Sequence, residues 1–251
     1  MKKHKICKIL LVILAIFLCV AFYELLGICV AYKKQPEVSN TTKKETKNGS
    51  WNECSENTER AVIIEKNPEA LLQRVRLIKN AKKEIILSTF AFQSDESGKL
   101  ILGALHDAAD RGVHIRLLVD GMESWIDMEG NPYFYGLSSH ENVEIKLYNK
   151  ANPLKPWKMM GRMHDKYLIA DGKRYILGGR NTHNYFLGDF PGHKNYDRDV
   201  LVVCDEPEKE NSVNQLSEYF ETIWNQEDSG YFHNNKKLAN RKSVKNAVLE
   251  L

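Results

Sequence analysis

The side chains best equipped for chemistry lie between residues 163 and 199. In Met163-His164-Asp165-Lys166-Tyr167-Leu168-Ile169-Ala170-Asp171, His164 and Lys166 stand two positions apart in a run apolar enough to predict a strand. Side chains two apart on a strand share a face, so an imidazole and an ammonium can meet one phosphate there. Gly178-Gly179-Arg180-Asn181 follows; its two glycines let the backbone approach a ligand closely, and the Asn181 amide offers a hydrogen-bond donor. A hairpin at Asp171-Gly172 is expected to join the two segments and bring them side by side.

The full spacing, HxKx4Dx6GGxN, resembles the HKD motif of the phospholipase D superfamily. The resemblance runs from Ala61 to Trp224. Its flanks, Ser88-Thr89-Phe90-Ala91-Phe92, Ala109-Asp110-Arg111-Gly112, Tyr148-Asn149 and Gly178-Gly179-Arg180-Asn181-Thr182, look like the cardiolipin-synthase-like bacterial branch. The resemblance implies a two-step phosphoryl transfer in which His164 attacks phosphorus, giving a phosphohistidine that water or an alcohol resolves. Lys166, Asn181 and the close-approaching backbone at Gly179 would hold the non-bridging oxygens. An acid is expected to orient the nucleophile's ring; Asp197 takes that place, with Asp199 in reserve. Asp171 belongs to the motif and so to the catalytic set, although bracing the hairpin suits it better than touching substrate. Neither metal nor cofactor is required. Gly179 departs from the Ser that many members carry, so a hydroxyl contact is missing. For Arg180, His183 and His193 a solvated or structural role is favoured.

Members of this family build one active site from two HKD motifs, one histidine attacking while the other protonates the leaving group. Only one such motif occurs in these 251 residues. Two copies can pair as a homodimer, or the chain is the N-terminal half of a longer two-motif enzyme; the second is favoured, because the branch it resembles carries both motifs in one chain.

The elements that must position these residues alternate. Residues 61–65 read as a strand leading into a helix, with Asn67 as its cap and Pro68 in its first turn. Residues 84–92 predict a strand too apolar to have a solvated face, 98–109 an amphipathic helix, and 114–120 another strand. Strands are also expected at 143–148, 167–170, 174–177 and 200–204, before a closing helix through Leu216, Phe220, Ile223 and Trp224. The fold class is therefore α/β, a mixed central sheet flanked by helices. No GxGxxG or GxxxxGK[ST] loop is present, so neither a dinucleotide nor a nucleoside-triphosphate site is indicated.

Ahead of this domain, residues 9–32 are apolar except for Glu24 and Gly27, long enough as a helix to span a bilayer. Lys2, Lys3, Lys5 and Lys8 precede them. An uncleaved transmembrane anchor over residues 1–32 is favoured above a signal peptide. Lys33, Lys34, Lys43, Lys44 and Lys47 nearly balance the basic tail, and the preferred topology is single-pass in the cell membrane with an extracytoplasmic domain. Glu24 is either an intramembrane acid or, preferably, one facing headgroups. Residues 33–60 read as a flexible polar linker, 61–226 as the domain, and 227–251 as a basic C-terminal extension. Lys155-Pro156-Trp157-Lys158-Met159-Met160-Gly161-Arg162 mixes cations with large apolar groups and suits either anionic headgroups or an ordinary loop. Cys54 and Cys204 are read as two free thiols in preference to a pair.

With 36 basic against 33 acidic residues, composition demands no nucleic acid. The leading expectation is a membrane-anchored phosphatidyltransferase or phospholipase acting on glycerophospholipids, cardiolipin-synthase-like. A nucleic-acid phosphodiesterase and a catalytically incomplete half-domain are the alternatives; the lack of a basic stripe counts against nucleic acid.

Overall fold

The structure, a computed structural model, describes residues 2–33, 38–48, 59–152, 154–206, 211–233 and 237–251, in two compact units. The first unit holds the N-terminal residues and 151–161. Its apolar run forms helix α1 (Lys2–Lys33), of which His4–Val30 is long and apolar enough to cross a membrane. A signal sequence answers the same description. Asn40–Asn48 forms a second helix, α2, whose first turn is capped by Ser39 Oγ accepting the Thr42 amide at 3.0 Å. The reading of residues 33–60 as structureless tether is thus corrected over α2.

The second unit is built on an eight-stranded sheet of β1 (Glu59–Ile64), β2 (Glu84–Thr89), β3 (His114–Asp120), β4 (Val143–Tyr148), β5 (Tyr167–Ala170), β6 (Arg174–Gly178), β7 (Asp199–Cys204) and β8 (Ser229–Tyr231). The spatial order is β1-β7-β6-β5-β2-β3-β4-β8. The β2, β3 and β4 ladders are parallel, linked by crossover helices; all other pairs are antiparallel. The mixed sheet expected from the sequence is therefore present.

Alternate residues feed two cores. Ile85, Leu87, Ile115, Leu117, Val119 and Leu168 face the cluster beneath α3 (Asn67–Asn80) and α4 (Glu96–Asp110). Ile86, Leu118, Tyr167, Ile169 and Val202 face the opposite cluster with Phe220 and Trp224 of α7 (Ser212–Trp224). Burial on both faces is why these strands read as continuous apolar runs instead of alternating ones.

Several elements differ from expectation. β2 ends at Thr89, and residues 90–92 leave the ladder. Asn67 is the first helical residue of α3, not its cap; Lys66 holds the cap position without a side-chain hydrogen bond. Two short helices, α5 (Gly121–Asp127) and α6 (Pro132–Ser138), fill the β3 to β4 crossover. Within the basic C-terminal extension, β8 pairs with β4, and α8 (Lys242–Glu250) packs on α6, where Gly136 gives Val248 room. Cys204 is buried as a free thiol, while Cys54 lies outside the described residues.

Candidate active site

Strand register gathers the motif at one end of the sheet. Ser88 of β2 lies opposite Tyr167 at the start of β5, Tyr167 opposite Leu177, Gly178 opposite Asp199, and Asp199 opposite Ile64. The residues just beyond these positions, Phe90, Lys166, Gly179, Asp197 and Glu65, therefore share one rim. β2 and β3 are parallel and in step, so Asp120, at the end of β3, belongs to the same rim.

His164 and Lys166 stand just before β5 instead of within a strand. Past Thr89 and Gly178, the neighbours of β5 close on each other: Phe92 bridges Thr182, and the Thr182 amide donates to the Ala91 carbonyl at 3.0 Å. The incoming 162–164 segment is held toward β3 by Asp120, whose Oδ2 accepts the Met163 amide at 3.1 Å. Asp120 Oδ1 takes Arg162 Nε at 2.9 Å and also caps α5 through the amides of Met122 and Glu123. Asp120 is 1% exposed, so these bonds are charge-assisted in a dry setting.

His164 and Lys166 share a face by a shared neighbour. The His164 ring lies edge-on to Phe90 with centroids 4.6 Å apart, and Lys166 Nζ sits 5.3 Å from the same ring. The Arg162 guanidinium lies 4.8 Å from it. Three alternate residues, Arg162, His164 and Lys166, thus surround one aromatic platform. Lys166 Nζ also donates to the His164 carbonyl at 2.6 Å, while its own carbonyl accepts the Gly178 amide at 3.2 Å. Burial lowers the Lys166 ammonium below the ordinary lysine range, against the opposing pull of Asp165 and Asp197. Asn181 is nearly buried, with Oδ1 accepting the Ala91 amide at 3.3 Å.

The glycine pair has a steric reason. A Cβ on Gly178 would lie 2.0 Å from Asp199 Oδ1 and 2.6 Å from the Arg198 carbonyl; one on Gly179 would lie 1.9 Å from Asp197 Oδ2. The space that a side chain at position 179 would need is occupied here by the Asp197 carboxylate. Asp197 Oδ1 accepts the Arg198 amide at 2.7 Å; among the described residues no hydrogen bond joins it to His164.

Other residues of the set lie elsewhere. Asp199, the reserve acid, is sealed between Arg74 at 2.8 Å and Arg180 at 3.2 Å, with its side chain fully buried. Arg180 also donates to Asn67 Oδ1 and to the carbonyls of Ile64, Glu65 and Asp197, clamping the 197–199 segment to the start of α3. Asp171 stands at the far end of β5, where its carboxylate accepts the amides of Lys82, Lys83 and Glu84. The length of β5 separates Asp171 from Lys166, and its contacts are those of a residue bracing the chain. His183 is buried against Tyr185 and Phe186, and His193 pairs with Asn195. Among the described residues no cluster of three or more His, Cys, Asp or Glu could hold a metal ion.

Beside Asp197 a cleft of about 680 Å³ opens between the start of α3 and the 188–198 segment, with Lys66, Lys194, Tyr196 and Arg198 on its walls. Sequence reasoning missed Phe90 and Asp120 as members of the site. Asp120-Gly121 had a readable signal, an acid at the C-terminal end of a parallel strand followed by glycine. A Cβ on Gly121 would meet the Tyr148 and Asn149 carbonyls at 2.5 Å.

Residues 74–224 match the family described as cardiolipin synthase, PLD-like domain. The chain belongs to the phospholipase D superfamily. It is 30% identical over 154 residues to cardiolipin synthase C of Escherichia coli K12, covering 56% of this chain and 31% of that protein. The chain spans less than two fifths of the length of the curated relatives it matches. Among solved structures it resembles phosphatidylserine synthase of Haemophilus influenzae (TM-score 0.55, 17% identity, 84% of this chain and 46% of that one). It also resembles NucT from Helicobacter pylori (TM-score 0.52, 17% identity, 69% and 99%). At such identities these two likenesses concern the superfamily's fold.

Proposed function

We propose that the chain is one half-site of a phospholipase D-type phosphatidyltransferase or phospholipase acting on glycerophospholipids. The observation that carries this is the convergence of His164 and Lys166 on Phe90, with Asn181 bonded to the adjacent Ala91. One phosphate placed over that platform meets an imidazole and an ammonium together.

In this reading His164 attacks phosphorus, the P–O bond to the leaving alcohol breaks, and a phosphohistidine forms that water or a second alcohol resolves. Lys166 and Asn181 stabilise the charge on the non-bridging oxygens, and partial burial strengthens those contacts. Asp197 lies close enough to stabilise the Lys166 cation and is the acid available to the ring. The cleft beside Asp197, with its cations and Tyr196, suits a headgroup. The leaving oxygen needs a proton from a second HKD motif, given by another copy or by a second half. A lipid substrate is favoured over nucleic acid by the cardiolipin synthase relatives and the apolar α1.

The test is incubation of the full-length protein in detergent micelles with phosphatidylglycerol and, separately, single-stranded DNA, each beside His164→Ala. Turnover of the lipid is expected, abolished in the variant, with an acid-labile phosphoryl adduct trapped only on the wild type. DNA cleavage without lipid turnover overturns the substrate assignment; wild-type activity in His164→Ala overturns the nucleophile.

A further inference from the structure

We propose that residues 154–161 form an interfacial arm that inserts beside α1 into the surface of an anionic bilayer and tethers the HKD segment there. This rests on α1 crossing the membrane. Tyr23 Oη donates to the Leu154 carbonyl at 3.0 Å, and the Tyr23 and Trp157 rings meet edge to face with centroids 5.5 Å apart. A Cβ on Gly27 would lie 2.5 Å from the Trp157 ring, so the indole lies flush against the helix where glycine leaves it room. These contacts fix the depth of the arm. Tyr23 and Gly27 fall in the last two turns of the apolar span His4–Val30, about 10 Å and about 4 Å along the axis from its end at a rise of ~1.5 Å per residue. That is the headgroup to acyl boundary, where Tyr and Trp place an apolar body in lipid and a polar tip in water.

The rest of the arm has the composition this depth requires. Leu154 is 77% exposed and Met160 57% exposed, an unfavourable display in water and a favourable one in the acyl boundary. Lys155 and Lys158 are exposed beside them, cations suited to anionic headgroups. Only Arg162 and Met163 lie between Gly161 and His164, three Cα-to-Cα steps that reach at most about 11 Å in a fully extended chain. The covalent link therefore limits the HKD histidine to that distance from the end of the arm, a short path for a lipid held at the bilayer surface.

The full-length protein is reconstituted into vesicles of phosphatidylcholine and phosphatidylglycerol brominated high on the acyl chains, and tryptophan emission is compared between wild type and Trp157→Phe. The wild type is expected to carry a strongly quenched component that the variant loses. Equal quenching of the two proteins overturns the arm, as does release of the chain by alkaline carbonate, which would show that α1 does not span. In parallel, Leu154→Asp combined with Met160→Asp is expected to lose turnover of phosphatidylglycerol in vesicles while retaining hydrolysis of the soluble diester bis(p-nitrophenyl) phosphate; undiminished vesicle turnover also overturns the arm. Failure of the wild type on the soluble diester speaks against the proposed chemistry alone, since the quenching still decides where the arm lies.

Discussion

Asp199→Asn isolates the buried charge cluster that shapes the rim. Asp199 has no exposed side-chain surface and lies between Arg74 (6% exposed) and Arg180 (fully buried). Asparagine keeps the volume and removes the charge, leaving two guanidinium groups close together in a dry setting with no anion between them. Breaking a buried pair by removing one partner costs about 3–5 kcal/mol, a large part of the ~5–15 kcal/mol that holds a domain folded. For a domain of this size about 1 kcal/mol moves the melting temperature by ~2–4 °C, so the expected drop is about 6–20 °C. Thermal unfolding of the full-length protein in micelles, followed by near-ultraviolet circular dichroism, reads it. Adding Arg74→Met removes one of the uncompensated cations, so the double variant is expected to melt above the sum of the single losses, with a coupling of ~0.5–3 kcal/mol. A drop below about 2 °C together with strict additivity would refute the sealed cluster and return Asp199 to consideration as the acid serving His164.

Two further outcomes follow from titratable groups. Burial would raise the Asp171 carboxyl, but three backbone amides outweigh it and hold the group below the usual carboxylate range. A depressed carboxyl stabilises the fold above its unfolded pKa of ~3.9 and loses that contribution as pH falls through the folded value. Asp171→Asn, which tolerates the left-handed backbone at φ 56°, exchanges charge-assisted hydrogen bonds for neutral ones and is expected to cost about 1 kcal/mol at pH 7, and the gap in melting temperature should close in acid; a gap that persists at pH 2 refutes the linkage. For Lys166, burial lowers the ammonium and Asp197 opposes it. The alkaline limb of kcat/KM should therefore lie below the ordinary lysine value of ~10.4, and Asp197→Asn should move it lower still; a limb that stays put or rises contradicts the role of a protonated Lys166.

Much of the sheet was legible because its strands are buried on both faces and bounded by turn residues. The strands at 114–120, 143–148 and 167–170 have the bounds expected of them. The short crossover helices α5 and α6 were not legible, since seven residues give too few turns for a period, and their starts depend on Asp120 and Asn131 as caps. β8 was hidden for a related reason: Ser229–Tyr231 is a strand only because the edge of β4 is there to pair with it.

What the sequence determined by itself is the identity and spacing of the motif, the apolar α1, and the alternation that makes a mixed α/β sheet, because these depend on residue type and local period. The tertiary structure decided the division of labour among acids that look alike in the sequence. Asp171 ties down the far end of β5, Asp199 is neutralised by two arginines from distant segments, Asp120 holds the 162–163 chain, and Asp197 fills the space beside Gly179. A carboxylate's role follows from which charges and amides face it, and the fold brings those partners together across 43 residues of chain for Asp120, 88 for Asp171 and Lys83, and 125 for Asp199 and Arg74.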